Sequence, residues 1–129
     1  MFAVWDTGNA VTLFKRREIP GGAGGQEWII FNKIVAHEIS ICSICFGDGI
    51  DVDGNMFYRL FSVGVDRRVF EYGLYEAQRK DPLPVLRYFK VEQEALPSCC
   101  LWYPSKDSKE GLLLTTNDHY KMKVWNPSA

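Results

Sequence analysis

The chain has 129 residues, which allows one domain with a single modest core and excludes a two-domain enzyme of ordinary size. Hydrophobic residues make up 47%, aromatic residues 14% and charged residues 24%, a composition that excludes a disordered tail. Fifteen Lys and Arg against sixteen Asp and Glu give a net charge of -1, so no global field draws in nucleic acid or an anionic membrane. No apolar run reaches membrane-helix length and no basic-then-apolar leader opens the chain, so the sequence reads as intracellular, with Cys42, Cys45, Cys99 and Cys100 reduced.

Taken in chain order, runs rich in branched and aromatic residues recur. They span residues 10–14, 28–35, 39–46, 57–63, 68–72, 85–91, 98–103, 112–116 and 120–125, each bounded by Gly, Pro, Asp or Asn. No window keeps a capped helical period, and the one short helix candidate covers residues 72–80. The pattern predicts an all-β fold. Pro20 to Gly25 has almost no side chain to bury and reads as a flexible loop, Gly47 to Asn55 as a second turn-rich connection, and Pro104 to Gly111 as a third.

The chain also holds three offset copies of one pattern. In the middle copy, His37 is followed by an apolar strand carrying Ile41, Ser43, Ile44 and Phe46. Leu60 and Ser62 lie on a second strand, Asp66 falls in a turn and Tyr72 ends a third strand. The first copy is a tail, Val4-Trp5-Asp6, and the third runs from Cys99 through Leu112 to Thr116, Asp118 and Val124-Trp125-Asn126. This pattern resembles the WD-repeat family, with Trp5-Asp6 as the family dipeptide and Tyr72-Gly73 a departure from it.

The resemblance implies β-propeller blades: the end of one, one full blade and most of another, an incomplete propeller over residues 1–129. It further implies that His37, Ser62, Asp66 and Tyr72 form a structural hydrogen-bond chain locking the strands, with a phenol in place of an indole. The incomplete ring is expected to pair with further blades from additional chain or another subunit, since open sheet edges expose unpaired backbone groups. At finer grain, residues 37–47, 62–72, 99–104 and 117–123 resemble ciliary members of the family. That likeness implies a non-enzymatic scaffold on axonemal doublets at the base of a radial spoke, with subunits of the calmodulin- and spoke-associated complex as protein partners and calmodulin a candidate among them. The alternative is a general cytosolic WD-repeat adaptor.

Other chemistries are weaker on the residues. Ser62, His37 and Asp66 are the residue types of a hydrolase triad, yet Phe61 and Val63 flank the serine where a nucleophile elbow has glycines. Cys42 and Cys45 with Cys99 and Cys100 have metal-ligand composition, but strand alternation is expected to turn Cys42 away from Cys45 and Cys99 from Cys100, leaving the thiols to pack as small hydrophobes. Asp48, Asp51, Asp53 and Gly54 echo a calcium loop whose first and twelfth positions would be Gly49 and Leu60, without the required acids. Lys15-Arg16-Arg17 and Arg67-Arg68 are too short for a nucleic-acid footprint, and His119 is expected at an exposed turn. No metal or cofactor is expected.

Overall fold

The structure, a computed structural model, describes residues 1–22, 24–91, 95–104 and 111–127. Among them the chain is all-β, with ten strands and one turn of 3-10 helix at Glu76–Gln78. The strands are β1 (Phe2–Trp5), β2 (Ala10–Glu18), β3 (Gln26–Val35), β4 (Ile41–Val52), β5 (Asn55–Gly64), β6 (Arg68–Tyr72), β7 (Val85–Lys90), β8 (Pro97–Tyr103), β9 (Leu112–Asn117) and β10 (Met122–Trp125). They form three antiparallel sheets in the orders β1-β2-β3, β4-β5-β6-β7 and β8-β9-β10.

The middle sheet is covered on both faces. On strands, alternate side chains face opposite sides, and in β5 both sets are buried. Leu60, with Ile41, Phe70 and Tyr72, packs against Val11 and Leu13 of the first sheet, with Leu74, Ala77 and Leu83 closing that core. Phe61 and Val63, with Val69, pack against Cys100 and Leu113 of the third sheet. This explains why residues 60–63 form an unbroken buried run, Leu-Phe-Ser-Val, whereas strands of a one-sided sheet alternate polar and apolar. The edge strand β4 lies beside β8, so the middle and third sheets approach one another along β4 as well as through this core.

Three expectations from sequence are corrected. The connection at Gly47 to Asn55 is mostly strand: β4 runs on to Val52, and only Asp53 and Gly54, both at positive φ (53° and 80°), make the turn. That is the conformation a two-residue hairpin demands, and Asp51 Oδ1 holds it by accepting from the Gly54 N–H at 2.9 Å. The helix candidate at 72–80 shrinks to a single turn because Tyr72 is committed to β6 and the Gly73 N–H donates to Pro84 O at 2.9 Å. Ile39 and Ser40 lie outside β4, in the bend that delivers His37 to the sheet. The segment at 20–25 joins β2 to β3 with Gly21, Gly22 and Gly24 at positive φ; Ala23 lies outside the described residues, as do residues 105–110 of the third connection.

Candidate functional site

His37, Ser62, Asp66 and Tyr72 come from four different elements and meet in one buried chain. His37 sits in the loop before β4, Ser62 on β5, Asp66 in the β5–β6 turn and Tyr72 at the end of β6. His37 Nδ1 lies 2.9 Å from both Asp66 carboxylate oxygens, and its Nε2 lies 2.7 Å from Ser62 Oγ. Tyr72 Oη is 2.6 Å from the same Ser62 oxygen.

The proton positions follow from the donors available. A carboxylate only accepts, so Nδ1 carries the imidazole proton and donates to Asp66. Nε2 is then an acceptor for the Ser62 hydroxyl, and Ser62 Oγ accepts from the Tyr72 hydroxyl. All the bonds point toward Asp66, which also accepts from the backbone N–H of Glu38 at 3.3 Å and of Arg68 at 3.1 Å. Burial pulls the His37 pKa below its ordinary 6.5, against the raising influence of Asp66, so the ring is neutral at pH 7. Burial likewise raises the Tyr72 phenol, keeping its proton on.

The packing around the chain is close. The His37 ring meets Phe70 edge-on at 4.6 Å between centroids, and a Cβ added to Gly64 would lie 2.5 Å from His37 Nδ1. The side chains of His37 and Asp66 are 0% and 4% exposed, and Ser62 is 0% exposed. These are the residue types of a Ser-His-Asp relay, here with Ser62 buried and its oxygen already holding two hydrogen bonds.

A reduced form of the same arrangement recurs one sheet on. The Trp125 indole N–H donates to Thr115 Oγ1 at 2.8 Å, and Asp118 accepts from the Leu96 N–H at 2.8 Å just as Asp66 accepts from Glu38. Buried Ala95 precedes Leu96 where His37 precedes Glu38, so the imidazole is missing and the chain is cut to its two ends. Sequence reading missed Thr115; the signal was present in its spacing, ten residues before Trp125 as Ser62 is before Tyr72. In the first sheet Trp5 pairs across to Val11 and is 45% exposed, while Asp6 Oδ1 accepts from the N–H groups of Gly8 and Ala10 to shape the β1–β2 turn.

A second buried polar group was not anticipated at all. Glu71 on β6 accepts from Arg59 through both carboxylate oxygens, at 2.7 and 3.0 Å, and its Oε2 lies 3.0 Å from Arg87 Nε. Arg59 also lies over the stacked rings of Phe61 and Trp102, and Arg87 reaches the Pro127 carbonyl, so this network ties the middle sheet to the third. A charged residue inside the run Val69-Phe70-Glu71-Tyr72 was its only mark in the sequence.

The cysteines are arranged otherwise than strand alternation suggested. A bulge between Ile41 and Ser43 inserts Cys42 as an extra residue, so the alternation fails there and both Cys42 and Cys45 pack against the core that contains Cys100. All four are free thiols, and no group of three or more metal-ligating residues among the described ones has a geometry that holds an ion. Asp51 and Asp53 are spent on the hairpin turn, and Lys15 and Arg16 lie over the rings of Phe31 and Trp28.

Fold and site together define an all-β protein of antiparallel sheets with a buried polar chain running from Tyr72 through Ser62 and His37 to Asp66. No family model matches the sequence. Over 95% of its length the chain is 34% identical to cilia- and flagella-associated protein 251 of Tetrahymena thermophila. Over 82% of its length it is 38% and 35% identical to the proteins of the same name from Mus musculus and Pongo abelii. The chain spans 14%, 8% and 9% of the lengths of these three homologues.

Proposed function

We propose that this chain is part of a WD-repeat β-propeller that acts as a non-catalytic protein scaffold in motile cilia, at the base of a radial spoke on the axonemal doublets. The observation that carries the reading is the sealed chain from Tyr72 through Ser62 and His37 to Asp66, with its two ends repeated at Thr115–Trp125 and Leu96–Asp118 in the next sheet. A polar chain excluded from solvent can fix strands against one another and has no access to a substrate.

The sheet faces support the propeller part of the reading. The middle sheet uses both faces, but the outer face of the first sheet leaves Trp28 and Ile30 47% and 61% exposed, and that of the third leaves Leu101 and Val124 61% and 54% exposed. Apolar faces of that kind on both ends of a stack suit further blades, from additional chain or another subunit. The names of the homologues support the cilium, and the match over 95% of the chain to the Tetrahymena protein extends that support across all three sheets. Subunits of the calmodulin- and spoke-associated complex, with calmodulin among them, are the proposed partners.

Fractionation of ciliated cells carrying the tagged full-length protein tests this. The scaffold reading expects the protein to stay with the doublets when detergent removes the ciliary membrane. Release into the detergent-soluble fraction would favour a general cytosolic adaptor.

A further inference from the structure

The cysteines gather at the seam between the middle and third sheets. Past the bulge at Cys42, Ser43 pairs with Val63 and Cys45 with Phe61, and both partners belong to the core shared with Cys100 of β8. Cys45 therefore faces β8, which lies alongside β4. Cys45 packs against the core that holds Cys100, close enough that each thiol is the strongest influence on the other, and Ser43 Oγ is 3.8 Å from Cys99 Sγ. Cys45 is half-buried, Cys100 buried and Cys99 exposed, so the pair sits just under the surface with a third thiol outside it.

We propose that Cys45 and Cys100 form a dithiol site that a hydroperoxide converts to a disulfide joining the two sheets. The pair is polarised. The neighbouring Cys100 thiol, followed by burial, pushes Cys45 above the ordinary thiol range, and the Cys45 thiol draws Cys100 down against its own burial. Cys100 is thus the sulfur that gives up its proton more readily.

The chemistry balances with hydrogen peroxide as the oxidant. The Cys100 thiolate attacks one peroxide oxygen, the O–O bond breaks, and the departing hydroxide takes a proton to leave as water, with Cys100 now a sulfenic acid. Cys45 sulfur then attacks the sulfenic sulfur; the S–O bond breaks and the hydroxyl leaves as a second water with the Cys45 proton. Two thiols have lost two electrons and two protons, and the peroxide has been reduced to two waters. An oxidant little larger than water suits a site reached past half-buried Cys42 and Cys45.

The test is peroxide titration of the folded wild-type protein, alkylation of the remaining thiols and peptide mass mapping without reductant. The expected product is a peptide pair linked through Cys45 and Cys100, two hydrogens lighter than the separate peptides and released by dithiothreitol. Cys99→Ser should leave the link unchanged, and Cys45→Ser should leave a Cys100 sulfenic acid that dimedone traps. Because the wild-type map decides alone, a poorly folding variant does not blunt it. Oxidation confined to Cys99, a link made through Cys99, or recovery of Cys45 and Cys100 both unlinked across the titration would overturn the proposal.

Discussion

The Tyr72 hydroxyl donates to Ser62 Oγ at 2.6 Å, joining the end of β6 to the last residues of β5, where both are out of reach of water. A hydroxyl that loses this donor keeps only the His37 bond. Deleting a buried partner costs about 1–3 kcal/mol, so Tyr72→Phe is expected to lower unfolding stability toward the low end of that range. Asp66→Ala should cost more, since it strands His37 Nδ1–H and two backbone N–H groups together. Urea titrations of the two variants check the order.

Acid should weaken the same chain. His37 has its folded pKa below the unfolded 6.5, because burial disfavours the imidazolium. The unfolded chain therefore binds the proton first, so the contribution of neutral His37 is fully present above about 6.5 and is lost as pH falls through the lower folded value. Nitrogen-15 spectra should find the His37 ring neutral, with the proton on Nδ1, at pH 6.5. A ring half-protonated there would contradict this.

Gly64 and Gly54 separate close packing from backbone strain. A Cβ at Gly64 meets His37 Nδ1 at 2.5 Å and the Ser40 carbonyl at 3.0 Å, so Gly64→Ala must displace the imidazole, an overpacking cost of about 1–3 kcal/mol. Gly54→Ala meets open space but holds φ at 80°, and strain at one such position costs about 1–2 kcal/mol. Only the first variant should also move the His37 ring resonances.

How much was readable follows from what each residue leaves in the sequence. Ser62, Asp66 and Tyr72 stood out because the hairpin β5–β6 fixes their spacing, and the strands around them carry branched and aromatic residues whose preference agrees with the fold. The extension of β4 to Val52 was hidden because Gly47 and Asp48 are turn formers at an irregularity in the pairing, beyond which Gly49 to Val52 pair again with β5, a tertiary effect that local propensity does not record. The convergence of Cys42 and Cys45 was hidden by a one-residue bulge, which alternation assumes away. Glu71 was hidden because its partners, Arg59 and Arg87, lie on neighbouring strands and meet it only through register.

That register makes Glu71 a strong prediction. Its side chain is 4% exposed and that of Arg59 10%, so Glu71→Ala leaves a nearly buried guanidinium without its carboxylate. Breaking one partner of a buried pair costs about 3–5 kcal/mol. Arg87→Ala should cost less, since its side chain is 46% exposed and Arg59 still holds Glu71. Thermal unfolding of both variants gives the comparison.

The scaffold account is tested most directly by electron cryo-tomography of axonemes with a density label fused beside these sheets in the full-length protein. Averaged volumes should show the extra density on the doublet at the base of a radial spoke, repeating with the spoke. Label density absent from the doublets, or scattered along them without the spoke repeat, would contradict it.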